Sequence, residues 1–138
     1  MTAEQMEQVL AMRVSSSDVH YAGGLVDGAY VMRIFGDALT FVALRDDGDE
    51  SLLSTYEVVE FKEPVRPGDF LAVSCREVAR TRLSRTFDLA ATLQGRGRPL
   101  PDRASAGEAW NEPGKVVASA RARVVVPLAA VRQPKKDA

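Results

Sequence analysis

One cysteine, one histidine and one tryptophan occur in 138 residues. A single Cys75 excludes an internal disulfide, and one cysteine with one histidine cannot build an ordinary zinc site. No run has calcium-loop or phosphate-loop spacing, so no metal is expected. No segment approaches the roughly 20 apolar residues that cross a bilayer. The start, Met1-Thr2-Ala3-Glu4-Gln5, has neither the basic residues nor the apolar core of a secretory signal. Charge of one sign is lacking too. The 18 Lys and Arg against 19 Asp and Glu leave a net charge of −1, which argues against nucleic acid as a partner. Lys135-Lys136 reads as part of a solvated tail. The expectation is a cytoplasmic protein with no membrane or nucleic-acid partner. Cys75 alternates with Leu71 and Val73, so it reads as a small core residue rather than a nucleophile.

What is present is periodicity. Residues 7–14 read as a strand, followed by the turn Ser15-Ser16-Ser17-Asp18. From about Leu25 to Leu44, Leu25, Ala29, Met32, Phe35, Leu39 and Val42 recur at helical spacing. Gly28 and Gly36, poor helix formers, point to close packing along this helix. The helix is expected to stop before Asp46-Asp47-Gly48-Asp49. The period then becomes two, with strands over 52–62, 70–80, 83–94 and 115–127. In the third of these Phe87, Leu89, Ala91 and Leu93 share one face. In the last, Ala118, Ala120, Ala122 and Val124 do. Pro64 to Asp69 is a turn. Residues 95–114, including Gly95-Arg96-Gly97-Arg98, read as a long mobile loop. The order predicts an α+β fold, a long central helix wrapped by an antiparallel sheet, in one domain over 1–130 with a flexible tail over 131–138. One helix cannot cover a broad sheet, so a dimer is expected.

The chemistry-bearing residues gather around that helix. His20 precedes Gly23 and Gly24, and a glycine pair at a helix start leaves amides able to hold a carbonyl oxygen as it gains negative charge. Asp37 interrupts an apolar helix, where an unpaired charge is costly. It serves as a reactive carboxylate, or it faces solvent or pairs with Arg33 four residues earlier. Asp27 is a catalytic carboxylate or a helix-start residue favoured by the dipole, and Asp18 is a cap or turn residue. Tyr56 and Glu60 are an even number of residues apart, which on a regular strand puts them on one face with Val58. Glu60 is then a second acid, or simply solvent-facing.

Taken in order, His20-Tyr21 with Gly23, Leu25-Val26-Asp27-Gly28-Ala29, Phe35-Gly36-Asp37, Asp47-Gly48-Asp49-Glu50, Tyr56 with Val59-Glu60-Phe61, Pro64-Val65 with Gly68-Asp69, Ser84-Arg85 and Val124-Val125-Val126-Pro127 cover most of the chain. This ordered set resembles the hotdog-fold 3-aminobutyryl-coenzyme A and β-alanyl-coenzyme A ammonia-lyase family. The resemblance implies reversible elimination of ammonia from a short 3-aminoacyl-CoA, with the thioester as substrate and no further cofactor. It implies a homodimer that can assemble as a trimer of dimers. The reaction needs an oxyanion site, for which Gly23 and Gly24 are candidates. It needs a base and an acidic partner for the ammonium, with Asp37, His20, Glu60 and Asp27 as candidates. Tyr56 and Tyr21 are candidates for substrate contact, and Ser84 and Arg85 for the phosphates of coenzyme A. Trp110 covers the long loop or stacks on adenine, and simple packing is the favoured reading. Two other readings share the fold: an acyl-CoA thioesterase in which Asp37 activates water or attacks the thioester, and a non-catalytic acyl-thioester binder.

Overall fold

The computed structural model describes residues 5–110 and 114–131. The tail with Lys135-Lys136 lies outside the described residues. Strand β1 (Glu7–Arg13) is followed by a short 3-10 turn (Ser16–Asp18) and helix α1 (Gly28–Asp47). Strands β2 (Leu52–Phe61), β3 (Phe70–Arg80), β4 (Ser84–Gly97), β5 (Gly107–Ala109) and β6 (Lys115–Val125) come next, then one short helical turn, α2 (Leu128–Val131). The sheet runs β1-β3-β4-β6-β2, with β5 on the far end of β4, and every pairing is antiparallel.

The period-two pattern accounts for the core. Leu71, Val73 and Cys75 of β3, Phe87, Leu89, Ala91 and Leu93 of β4, and Ala118, Ala120, Ala122 and Val124 of β6 pack with Val31, Ile34, Phe35, Ala38, Leu39 and Val42 of α1. Small residues on β6 leave room for the larger side chains of the helix. The long-helix-and-sheet expectation therefore holds.

Four boundaries differ from the sequence expectation. Helix α1 begins at Gly28 rather than Leu25, because Val26 is drawn into bridges with Val19 and Val65. Its N–H donates to the Val65 carbonyl at 2.9 Å. The helix also runs through Asp47 instead of stopping before Asp46. Asp46 is held by Arg45 and Asp47 by Arg85, and Gly48 ends the helix in the left-handed region at φ 68°. The 95–114 segment is not all loop. Strand β4 continues to Gly97, and β5 pairs with it. Gly107 permits that approach, since a Cβ there would lie 2.8 Å from the Arg96 carbonyl oxygen. Arg96, expected on a mobile loop, is anchored to buried Asp69 by Nε at 2.8 Å and Nη2 at 2.9 Å.

The fourth difference bears on function. Strand β2 bulges between Glu57 and Glu60, with Val58 at φ 50°. One extra residue inverts the alternation. Tyr56 pairs with Ala122 and Phe61 with Ala118, both core-facing, whereas Glu57 and Glu60 pair with Arg121 and Ser119. Tyr56 and Glu60 are thus on opposite faces of the sheet, not on one.

Strands β1 and β2 are the two edges. Leu52, Leu53 and Val58 on β2 are exposed, as are Phe41 and Leu44 on the outer side of α1.

Candidate active site at the start of helix α1

The segment before α1 folds back on itself. The Gly24 N–H donates to the Tyr21 carbonyl at 3.0 Å, and the Tyr21 N–H donates to the Leu25 carbonyl at 3.3 Å. Gly24 adopts φ +78°, a conformation that glycine reaches without steric cost. The glycine pair therefore sits in a turn ahead of the helix rather than at its tip. The Gly24 amide is engaged and cannot serve as an oxyanion donor as expected. No hydrogen bond is present to the Gly23 N–H among the described residues.

Asp27 caps α1, its Oδ1 accepting from the Tyr30 N–H at 3.2 Å. Its Oδ2 lies 3.6 Å from His20 Nδ1, so one carboxylate fixes the helix start and faces the histidine. The His20 ring is otherwise largely exposed.

A cleft of about 400 Å³ lies on one side of Asp27, walled by Tyr21, Leu25, Gly28, Phe61, Val65 and Val117, with Glu63 also at its lining. A smaller depression of about 220 Å³ lies on the other side, lined by Asp18, His20, Asp27, Tyr30 and Arg33. The cleft is mostly apolar, with two carboxylates, Asp27 and Glu63, and one cation, Lys62, at its lining. Phe61 presses on the helix start, where a Cβ on Gly28 would meet its Cζ at 2.8 Å. Glu63 is paired with Lys115 at 3.2 Å. Sequence reasoning did not single out Phe61 or Glu63 as site residues. Their signal is position: both immediately precede the Pro64 turn, which bends the end of β2 over the start of α1.

Asp37 does not share this site within one chain. It lies ten residues beyond Asp27, about 15 Å along the axis. Asp37 is exposed, as the solvent-facing alternative has it. It does not pair with Arg33, whose Nη2 instead donates to Asp18 Oδ1 at 2.9 Å. Glu60, beyond the bulge, lines a separate depression on the outer sheet face with Glu57, Asp88 and Arg121. Tyr56 is also outside the cleft, its hydroxyl donating to the Met32 carbonyl at 3.2 Å. Burial raises its phenol pKa.

No protein-family profile matches the chain. A 3-aminobutyryl-CoA ammonia lyase of Acetoanaerobium sticklandii is 48% identical over 68 residues, covering 49% of this chain and 54% of that protein. The match thus spans about half the length of this curated relative. The β-alanyl-CoA:ammonia lyase of Clostridium propionicum superposes with a TM-score of 0.83 at 26% identity, over 95% of this chain and 92% of that one. The chain has the hotdog fold and is similar to these two ammonia lyases. A hexameric hotdog thioesterase of Campylobacter jejuni, 18% identical with a TM-score of 0.70 over 95% of this chain and 90% of that one, shares the fold.

In this hotdog chain the Arg85 guanidinium is occupied by protein groups rather than open to a ligand, and Ser84 is half-buried. Arg85 is buried. Its Nη1 donates to the Thr81 and Ser84 carbonyls at 2.8 and 3.0 Å, and its Nη2 to Asp47 Oδ1 at 3.2 Å. Ser84 Oγ lies 2.7 Å from Thr81 Oγ1. Arg85 ties the β3–β4 hairpin to the C-terminal end of α1, the end opposite the cleft, while Ser84 bonds within the hairpin. The expected phosphate contact is corrected accordingly. Arg85→Ala should lower stability by about 3 kcal/mol, the scale for removing one member of a buried pair, read as a lower urea midpoint. Affinity for coenzyme A should not change.

Cys75 is buried in the core. Burial, with smaller contributions from Glu7 and Asp46, pushes its thiol up to about 11. Native protein at pH 8 should therefore react with a disulfide reagent far more slowly than urea-unfolded protein. Equal rates would contradict the core assignment.

Among the described residues no cluster of His, Cys, Asp or Glu is placed to hold a metal, and no helix is long and apolar enough to cross a membrane.

Proposed function

We propose that this chain is a carbon–nitrogen lyase acting on coenzyme A thioesters. It eliminates ammonia reversibly from a short 3-aminoacyl-CoA to give the enoyl thioester. The observation that carries this reading is the cleft at the start of α1, mostly apolar along its walls, with Asp27 at its border, while Lys62 and the Lys115-paired Glu63 lie at its far lining. An apolar wall suits a short acyl chain, and a carboxylate at its border holds the ammonium of a 3-aminoacyl group by charge-assisted hydrogen bonds. The kinship with two named ammonia lyases supports it.

The steps assign roles to the residues. The carbon beside the thioester carbonyl is weakly acidic, so its proton leaves only if the oxygen's growing charge is stabilised. The unengaged Gly23 N–H and the positive end of α1 provide this stabilisation. A carboxylate takes the proton, and the electron pair then forms the double bond as the C–N bond breaks and neutral ammonia leaves. In this scheme His20, in the neighbouring depression, exchanges protons with the cleft through the Asp27 carboxylate 3.6 Å away. Tyr21 and Phe61 border the acyl chain. Asp37 is the proposed base, delivered by a second copy of the chain. Pairing through the free β2 edge and the exposed Leu52, Phe41 and Leu44 brings one chain's α1 face against the other's helix start. This homodimer, assembled further as a trimer of dimers, is part of the proposal, as is a cytoplasmic location. No cofactor beyond the substrate's own coenzyme A enters the scheme.

The decisive experiment incubates the protein with crotonyl-CoA or acryloyl-CoA and ammonium, following loss of the conjugated double bond and release of free thiol. Loss of the double bond without free thiol, with an amine adduct, is expected. Free thiol would make it a thioesterase, and tight binding without either product a binder.

Gly28→Ala adds a methyl group where the Phe61 ring sits. That ring is the exposed end of a flexible side chain, so it should swing aside and fill part of the cleft. The KM for crotonyl-CoA should rise severalfold with little change in the thermal midpoint. An unaltered KM would remove this cleft from the acyl site.

A further inference from the structure

Arg33 stands four residues before Asp37, the spacing at which a helix sets two side chains side by side. Such a pair would tie up the carboxylate of Asp37. The structure avoids it. Arg33 turns toward the 3-10 turn ahead of the helix, donates to Asp18 Oδ1 at 2.9 Å, and lays its guanidinium over the Tyr30 ring, 5.3 Å from the centroid. Asp18 is the more sheltered partner, with 22% of its side chain exposed against 61% for Arg33. Its carboxylate is therefore less screened, and the aromatic face adds a second attraction that an Arg33–Asp37 pair would forfeit. Asp37 is left with no hydrogen bond or ion pair among the described residues.

We infer that Asp18 is a positioning residue that draws Arg33 away from Asp37 and so keeps the Asp37 carboxylate free to accept a proton. This deepens, and rests on, the assignment of Asp37 as the base. Arg33 and Tyr30 on α1 each interact electrostatically with Asp37, and each also with Asp18 on the preceding turn. His20 and Asp27 line the depression that Asp18 and Arg33 share. In this arrangement Asp18 never touches substrate. It acts by competing for the one cation within reach of Asp37 along the helix. Asp18→Asn keeps the shape and removes the charge, so Arg33 should swing to Asp37. A cation beside a carboxylate favours its ionised form and lowers its titration midpoint. A carboxylate that holds its proton less well is a weaker base.

The test titrates the Asp37 carboxyl by carbon NMR in the full-length protein, with Asp37→Asn to assign the signal. Asp18→Asn should move the Asp37 midpoint toward acid, and Arg33→Gln added to it should return the midpoint to the wild-type value. In ammonia addition to crotonyl-CoA, Asp18→Asn should move the acidic limb of the kcat profile down by the same interval and reduce plateau kcat severalfold. The double variant should recover it. An Asp37 titration in Asp18→Asn that superimposes on wild type would overturn the inference. Full activity in Asp37→Asn would instead overturn the base assignment, while the NMR titration would still decide whether Asp18 controls Arg33.

Discussion

Asp37→Asn should reduce ammonia addition to crotonyl-CoA by at least about a hundredfold, the scale at which a positioned general base contributes. The fold should be indifferent to the change. Asp37 is exposed and makes no hydrogen bond or ion pair among the described residues, and exposed substitutions of this kind move stability by roughly 0.5 kcal/mol or less. The amide is isosteric with the carboxylate but cannot take the proton. Circular dichroism and thermal midpoint should match wild type while kcat collapses. A kcat within about threefold of wild type would remove Asp37 from the chemistry, because that is far below what a general base contributes. The contrast between a large kinetic effect and a small thermodynamic one marks a carboxylate kept for reaction rather than for folding.

Asp69→Ala should show the reverse. Asp69 is 1% exposed. Its carboxylate accepts from Arg96 Nε and Nη2 and from the Arg66 N–H at 2.9 Å. Arg96 also donates to the Pro64 carbonyl at 3.2 Å. One side chain thus ties the β2–β3 turn to β4. Its removal leaves a turn amide and a guanidinium without their partner, a loss of about 3 kcal/mol. For a chain of this size that corresponds to a fall of about 10 °C in the thermal midpoint. Asp69→Asn keeps the volume and one acceptor and should fall between. Val65, beside this turn, lines the cleft, so residual folded Asp69→Ala should also bind substrate less well. A midpoint within 2 °C of wild type, less than about 1 kcal/mol, would show that the buried pair contributes little.

The fold was legible because its main signals are local. Alternation on β3, β4 and β6 and the helical stripe through Phe35 and Val42 follow from which side chains must leave water. The family resemblance was legible for a related reason: motifs around His20, Asp27 and Asp37 keep their order along the chain. The site was legible only in part. His20 and Asp27 are neighbours in sequence and proved to be neighbours in space. Tyr56 and Glu60 were misplaced because a bulge at Val58 carries no strong local mark, and one extra residue inverts everything beyond it. Arg85 read as a candidate phosphate contact, since no sequence spacing announces that Asp47, 38 residues earlier, will meet it.

What the sequence determined by itself is the long helix, the five long strands, the apolar faces of β3, β4 and β6, and the absence of cysteine pairs or a histidine cluster, because burial and backbone preference act within a few residues. What the tertiary structure alone decided is which polar groups find partners: Arg33 with Asp18, Arg96 with Asp69, Arg85 with Asp47, and Gly24 with Tyr21. Such pairings depend on approach between segments distant in the chain or on the closure of a turn. They decide which charges and amides are occupied, and so which remain for chemistry.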